Sequence, residues 1–123
     1  MKKTVLLYNF DKGERSRART ALLPLHFTLK AVEGDEMLIP VGCLAGLAED
    51  GEKRPCAEKP FGRLLVMGGF DGNDIDRLLG AMKKAGFGRD VIKAVITPTN
   101  AVWCGQELYD EVYREHMQLR GKR

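Results

Sequence analysis

Histidine is scarce in this chain, with His26 and His116 the only two among 123 residues, and cysteine is scarcely commoner at three. An odd cysteine count without C-x-x-C spacing argues against a secreted disulfide framework and fits a reducing cytoplasm. No apolar run approaches the ~20 residues of a membrane span, so no membrane partner is expected. Met1-Lys2-Lys3 before Thr4 to Phe10 resembles the opening of a signal peptide, but the apolar run is too short and charge returns at Asp11. The net charge of +3 is small, and Lys and Arg are not clustered among aromatics, which disfavours nucleic acid. Neither G-x-G-x-x-G nor a Walker loop occurs. No set of residues converges on a recognisable reaction, and no cofactor or metal is expected.

What is present describes an ordinary globular protein, 44% hydrophobic and 30% charged. A chain of this length reads as one domain over 1–123, able to bury roughly two thirds of its unfolded surface. Its organising stretch is Ile92-Lys93-Ala94-Val95-Ile96, an apolar run expected to form a strand buried on both faces. Pro98 ends it, because proline has no N–H for the ladder. Thr99 and Asn100 then turn the chain toward Trp103-Cys104. With Cys104 as N-cap, Glu107 stands at N3, able to reach the cap N–H, and Trp103 can staple onto Leu108. The same chemistry recurs at Phe70-Asp71 with Asp74 and Ile75, and at Phe10-Asp11 with Glu14, where Arg15 replaces the apolar staple residue. Each copy follows an apolar run: Thr4 to Tyr8, Arg63 to Met67, and the segment ending at Ile96.

Taken in order, Ala18, Ala21, Leu22 and Leu25 recur at helical spacing, predicting a helix from about Lys12 to Leu23 that Pro24 stops. Arg15, Arg17 and Arg19 fall on its exposed side and, with Lys12 and the basic C-terminal residues, could form a patch for an acidic partner or RNA. Phe27 to Val32 alternates and reads as an edge strand. Residues 33–36 read as a turn and Leu38 to Leu47 as a short helix. Residues 49–62, with Pro55 and Pro60, read as a loop between halves of about 1–48 and 63–119. Ile75, Leu78, Leu79 and Met82 predict a second long helix closed by Gly86. Leu108, Val112 and Leu119 stripe the last, with Tyr109, Tyr113 and His116 alongside.

The halves resemble an internal duplication, with Phe10-Asp11 matching Phe70-Asp71 and Lys30-Ala31-Val32 matching Lys93-Ala94-Val95. The expected fold is α/β: two tandem strand-helix-strand-helix halves forming a small, mostly parallel four-stranded sheet flanked by helices, with the two first strands central. The alternative is a ferredoxin-like α+β arrangement with antiparallel pairing between the halves.

Gly69-Phe70-Asp71, the helix after it, and Lys93-Ala94-Val95-Ile96-Thr97-Pro98-Thr99-Asn100 with Trp103, Leu108 and Glu115-His116 resemble the bacterial family called domain of unknown function 3783. The similarity covers mainly residues 63–116, and its strongest element is Thr-Pro-Thr-Asn followed by Trp. The family usually carries Thr where this chain has Cys104, so no role for that thiol carries over. The resemblance implies a small bacterial α/β domain and brings no known activity, substrate or cofactor.

If the central strands are parallel, Asp11 and Asp71 come to neighbouring strand ends, where doubly wound sheets bind ligands. The candidate crevice is therefore Asp11, Asp71, Thr97, Asn100, Trp103 and Cys104. Two carboxylates there could hold Mg²⁺, but capping already accounts for both. Gly68-Gly69 before a helix start suits a phosphate, yet Asp71, Asp74 and Asp76 would repel one. Cys104 at a helix start has a favoured thiolate but needs a base. His116 is twelve residues on, roughly 18 Å along one helix, which rules out a dyad within one chain. The reading is a cytoplasmic, non-enzymatic binding or regulatory module, working through a protein or small ligand, with a homodimer allowed. The alternative is a small ligand- or metal-binding, enzyme-like domain using the crevice.

Overall fold

A computed structural model describes residues 3–46, 62–87, 91–101 and 103–121. Among these residues four strands and four α-helices alternate: β1 (Thr4–Tyr8), α1 (Lys12–Leu22), β2 (Thr28–Val32), α2 (Val41–Leu44), β3 (Leu64–Gly68), α3 (Gly72–Lys84), β4 (Ile92–Val95) and α4 (Gly105–Gly121). Leu23–Leu25, around Pro24, and Gly34–Leu38 form 3₁₀ turns. The loop expected at 49–62 lies outside the described residues except for Gly62, as do the side chain of Leu119 and the final basic residues.

The sheet order is β2-β1-β3-β4, so the two first strands are central. β1 is parallel to β2 and β3 is parallel to β4, but β1 runs antiparallel to β3, with Tyr8 opposite Leu64 and Thr4 opposite Gly68. The sheet is therefore mixed, and the expectation of a mostly parallel sheet is corrected at its centre. A ferredoxin-like arrangement would split its parallel strands, whereas here the parallel partners are neighbours. The physical reason lies in the helical layer. Right-handed crossovers leading outward from parallel central strands would put α1 and α3 on opposite faces. Antiparallel centres put both on one face, where Phe10 of the first half meets Phe87 of the second, and Phe27 meets Phe70, with ring centroids 5.7 and 4.4 Å apart.

Side chains of β1 and β3 are buried on both faces, as continuous apolar central strands require. Val5, Leu7, Leu65 and Met67 face α1 and α3, which contribute Ala18, Leu22, Leu78 and Met82. Leu6, Tyr8, Leu64 and Val66 face the other way, under Met37, Val41 and Leu108 from the Gly34–Leu38 turn, α2 and α4. Each fully buried leucine contributes about 1.5–3 kcal/mol. β4 is an edge strand with Lys93 and Val95 half-buried, so it is not covered on both faces as expected.

The matched Lys-Ala-Val runs do not occupy matching places. Lys30 pairs with Leu6, whose side chain faces α4, while Lys93 pairs with Leu65, whose side chain faces α1 and α3. A one-residue difference in register moves a side chain to the other face. β1 and β3 begin sixty positions apart, as do α1 and α3. Asn9 and Gly69 both leave their strands with positive φ, at 65° and 78°, before Phe10-Asp11 and Phe70-Asp71. Asparagine and glycine are the residues that tolerate this geometry.

Candidate functional site

The antiparallel centre divides the expected crevice. Asp11 follows β1 at one end of the sheet, and Asp71 follows β3 at the opposite end. Thr97 and Asn100 follow β4, which is parallel to β3, and so belong to the Asp71 end. The two aspartates cannot hold one ion between them.

Both aspartates start helices. The Asp11 carboxylate accepts from the Glu14 N–H at 2.7 Å, and the Glu14 carboxylate accepts from the Asp11 N–H at 3.0 Å. Asp71 and Asp74 repeat this reciprocal box at 2.8 and 3.1 Å. Asp74 is buried and also accepts from the Lys3 Nζ at 2.9 Å. The Lys3 hydrogen bond, then the Asp71 N–H, hold its carboxyl below the usual carboxylate range, against burial, which pushes it up.

The loop after β4 is closed by its own groups. The Asn100 Oδ1 accepts from the Thr97 N–H at 2.8 Å, the Asn100 Nδ2 donates to the Val95 C=O at 3.0 Å, and the Asn100 N–H donates to the Thr97 Oγ1 at 3.1 Å. This fixes Ala101 and Trp103, whose carbonyls accept from the Gly42 and Val41 N–H groups at 2.8 and 2.9 Å and so dock α2. Trp103 packs into the same core as Leu108, as its staple position predicts. The Cys104 N–H donates to Glu107 at 3.4 Å. Cys104 is buried and its sulfur is engaged in a disulfide, so it offers no thiolate. Asn100, Trp103 and the Thr97–Asn100 turn are thus parts of a docking joint.

Tyr8 is fully buried, and its hydroxyl has no hydrogen-bond partner among the described residues. Burial, and then the Glu36 carboxylate, push its pKa up. It lines neither of the two depressions below. Among the described residues, no three His, Cys, Asp or Glu side chains gather to hold a metal, and no helix is long and apolar enough to cross a membrane.

The larger depression is a groove of about 990 Å³ between α1 and α3. Ser16, Arg17, Thr20 and Ala21 line one wall, and their counterparts sixty positions on, Asp76, Arg77, Gly80 and Ala81, line the other. Its two guanidiniums are placed by rings from the opposite half: Arg17 lies 4.3 Å over Phe87 and Arg77 lies 5.8 Å over Phe27. Lys84 adds a third cation. A smaller cleft of about 230 Å³, lined by Lys12, Arg15, Ser16, Arg19 and Ala31, continues the basic surface around α1. Within it Arg15 is paired with Glu33.

Reading the sequence put Arg17 on the exposed side of its helix but missed the partner arginine and the groove. The available signal was the common spacing of sixty between Arg17 and Arg77, Phe10 and Phe70, and Phe27 and Phe87, together with a glycine inside α3. No curated protein and no solved structure matches the chain. Residues 63–119, which contain β3, α3, β4, the Thr97–Asn100 joint and most of α4, match the family model DUF3783, a domain of unknown function.

Proposed function

We propose that this protein is a non-enzymatic binding or regulatory module whose site is the groove between α1 and α3. The observation that carries this reading is the pair of arginines, Arg17 and Arg77, held on buried rings at the two walls of a trough lined mostly by glycine, alanine, serine and threonine. Fixed side chains bind with less ordering cost than mobile ones. The competing enzyme-like reading needs a crevice at the strand ends, and the candidates there are engaged in capping and docking. We further read the chain as bacterial and cytoplasmic, with halves that are diverged copies. Contacts sixty positions apart support the duplication, and the odd cysteine count supports the location. The disulfide at Cys104 stands against that location, and alkylation of thiols during cell lysis decides it.

The site is tested by amide chemical-shift mapping with a mixture of alkyl and aryl carboxylates. Shifts gathered at Thr20, Ala21, Gly80 and Ala81 are expected. Shifts gathered at 97–104 and 69–71, or none, would overturn the reading.

A further inference from the structure

We propose that the groove receives an amphipathic helix of a partner protein, an apolar stripe flanked on both sides by carboxylates. This inference rests on the binding-module reading above and names its occupant.

Three observations converge on it. First, Gly80 lies inside α3, where glycine is less stable than alanine by roughly 0.5–1 kcal/mol, yet a Cβ at this position would meet nothing within 4 Å. Packing within the chain gives no reason for the glycine; the close approach of a second backbone along the groove does. Second, the lining carries Arg17, Arg77 and Lys84 against Asp76; Arg77 also lies 3.7 Å from the buried Asp74 carboxylate, but Arg17 and Lys84 keep the walls net positive, which favours an acidic occupant. Third, the arginines stand at equivalent places on facing walls, so they present charge on both sides of the trough. A helix about 10–12 Å wide with glutamates on both flanks of its leucines answers that arrangement, in the groove-binding mode used for amphipathic helices.

The same features disfavour other occupants. Nucleic acid would want exposed rings to stack on, but Phe27 and Phe87 are buried and lie under the arginines. A second copy docking groove to groove would bring four arginines together, and like charges across an interface are costly.

The test is fluorescence anisotropy with two labelled designed helices of about five turns, one with a leucine stripe flanked by glutamates and one with lysines in their place. The native protein is expected to bind the glutamate helix at least about tenfold more tightly, a difference of about 1.4 kcal/mol, with the preference shrinking as salt rises. The double variant Arg17→Glu, Arg77→Glu is expected to reverse the preference, and Thr20→Trp, which fills the groove from an exposed wall position, to abolish binding of both. Circular dichroism of each variant confirms that it is folded. Equal binding of the two helices, an unchanged preference in the double variant, tighter binding of a uridine-rich RNA, or dimerisation through the groove would each overturn the proposal. If neither helix binds while carboxylates still shift the groove amides, this inference falls and the binding-module reading stands. If the groove is silent to both, both fall.

Discussion

Lys3 and Asp74 meet across the sheet, the ammonium donating at 2.9 Å to a carboxylate that is 2% exposed. Sixty positions from each, Arg63 and Glu14 are also paired, with the two halves exchanging roles. In both cases the base stands just before a central strand, and the acid is the N3 residue of the other half's helix, closing its capping box. Each helix start is therefore tied to the antiparallel register of β1 and β3. A slip in that register would break both pairs at once.

The Asp74 carboxyl, depressed in the folded state, gives a prediction with a definite sign. Its contribution is present above the ordinary aspartate value of about 3.9 and is lost as pH falls through the lower folded value. Asp74→Asn should lower stability at neutral pH, and the gap from the native protein should narrow as pH falls below about 4. Urea melts at a series of pH values measure this. A gap that stays constant down to the lowest pH would show that the charge on Asp74 contributes nothing.

The local rules were readable from sequence, and the global pairing was not. Phe70-Asp71 with Asp74, and Trp103-Cys104 with Glu107 and Leu108, carry their geometry in a few adjacent residues, and the structure places them as caps and staples. The direction of β3 relative to β1 depends on the connection through residues 33–62, where no residue type favours either direction. Lys30 and Lys93 mislead for a related reason: identical tripeptides say nothing of a one-residue shift in register. The groove escaped because it is a property of two helices together. Arg17 alone reads as a solvated charge until Phe87 from the other half is placed beneath it.

The exchanged ring contacts should be measurable as couplings. A double-mutant cycle of Arg17→Met with Phe87→Leu is expected to give about 0.5–1 kcal/mol. The cycle of Arg77→Met with Phe27→Leu should give less, because that guanidinium lies 5.8 Å from its ring rather than 4.3 Å. Both are read from urea unfolding. Zero coupling in the first cycle would mean that Phe87 does not hold Arg17 at the groove wall.

Asn100 and Asp71, both candidates for a crevice, should separate by stability. Asn100→Ala removes the acceptor for the Thr97 N–H and the donor to the Val95 C=O in a residue 9% exposed, at an expected cost of about 1–3 kcal/mol. Asp71→Ala removes an exposed cap and should cost about 1 kcal/mol. Because Trp103 is the only tryptophan and lies within the same joint, its emission should also change in Asn100→Ala. Native-like melting of that variant would disprove the structural account of the loop.

Two helical glycines should respond to the same substitution with opposite signs. A Cβ on Gly42 would lie 2.6 Å from the Ala101 carbonyl oxygen and 2.8 Å from the Ala101 Cβ, at the point where the Gly42 N–H donates to that same carbonyl. The obstacle is backbone, so α2 must move off the joint, and Gly42→Ala should cost about 1–3 kcal/mol as overpacking does. At Gly80 a Cβ would enter open space, and Gly80→Ala should stabilise by about 0.5–1 kcal/mol. Midpoints of urea unfolding for the two variants decide the matter. Loss of stability at Gly80 would mean that the groove is filled from within the chain, which would remove the reason for looking there for a partner.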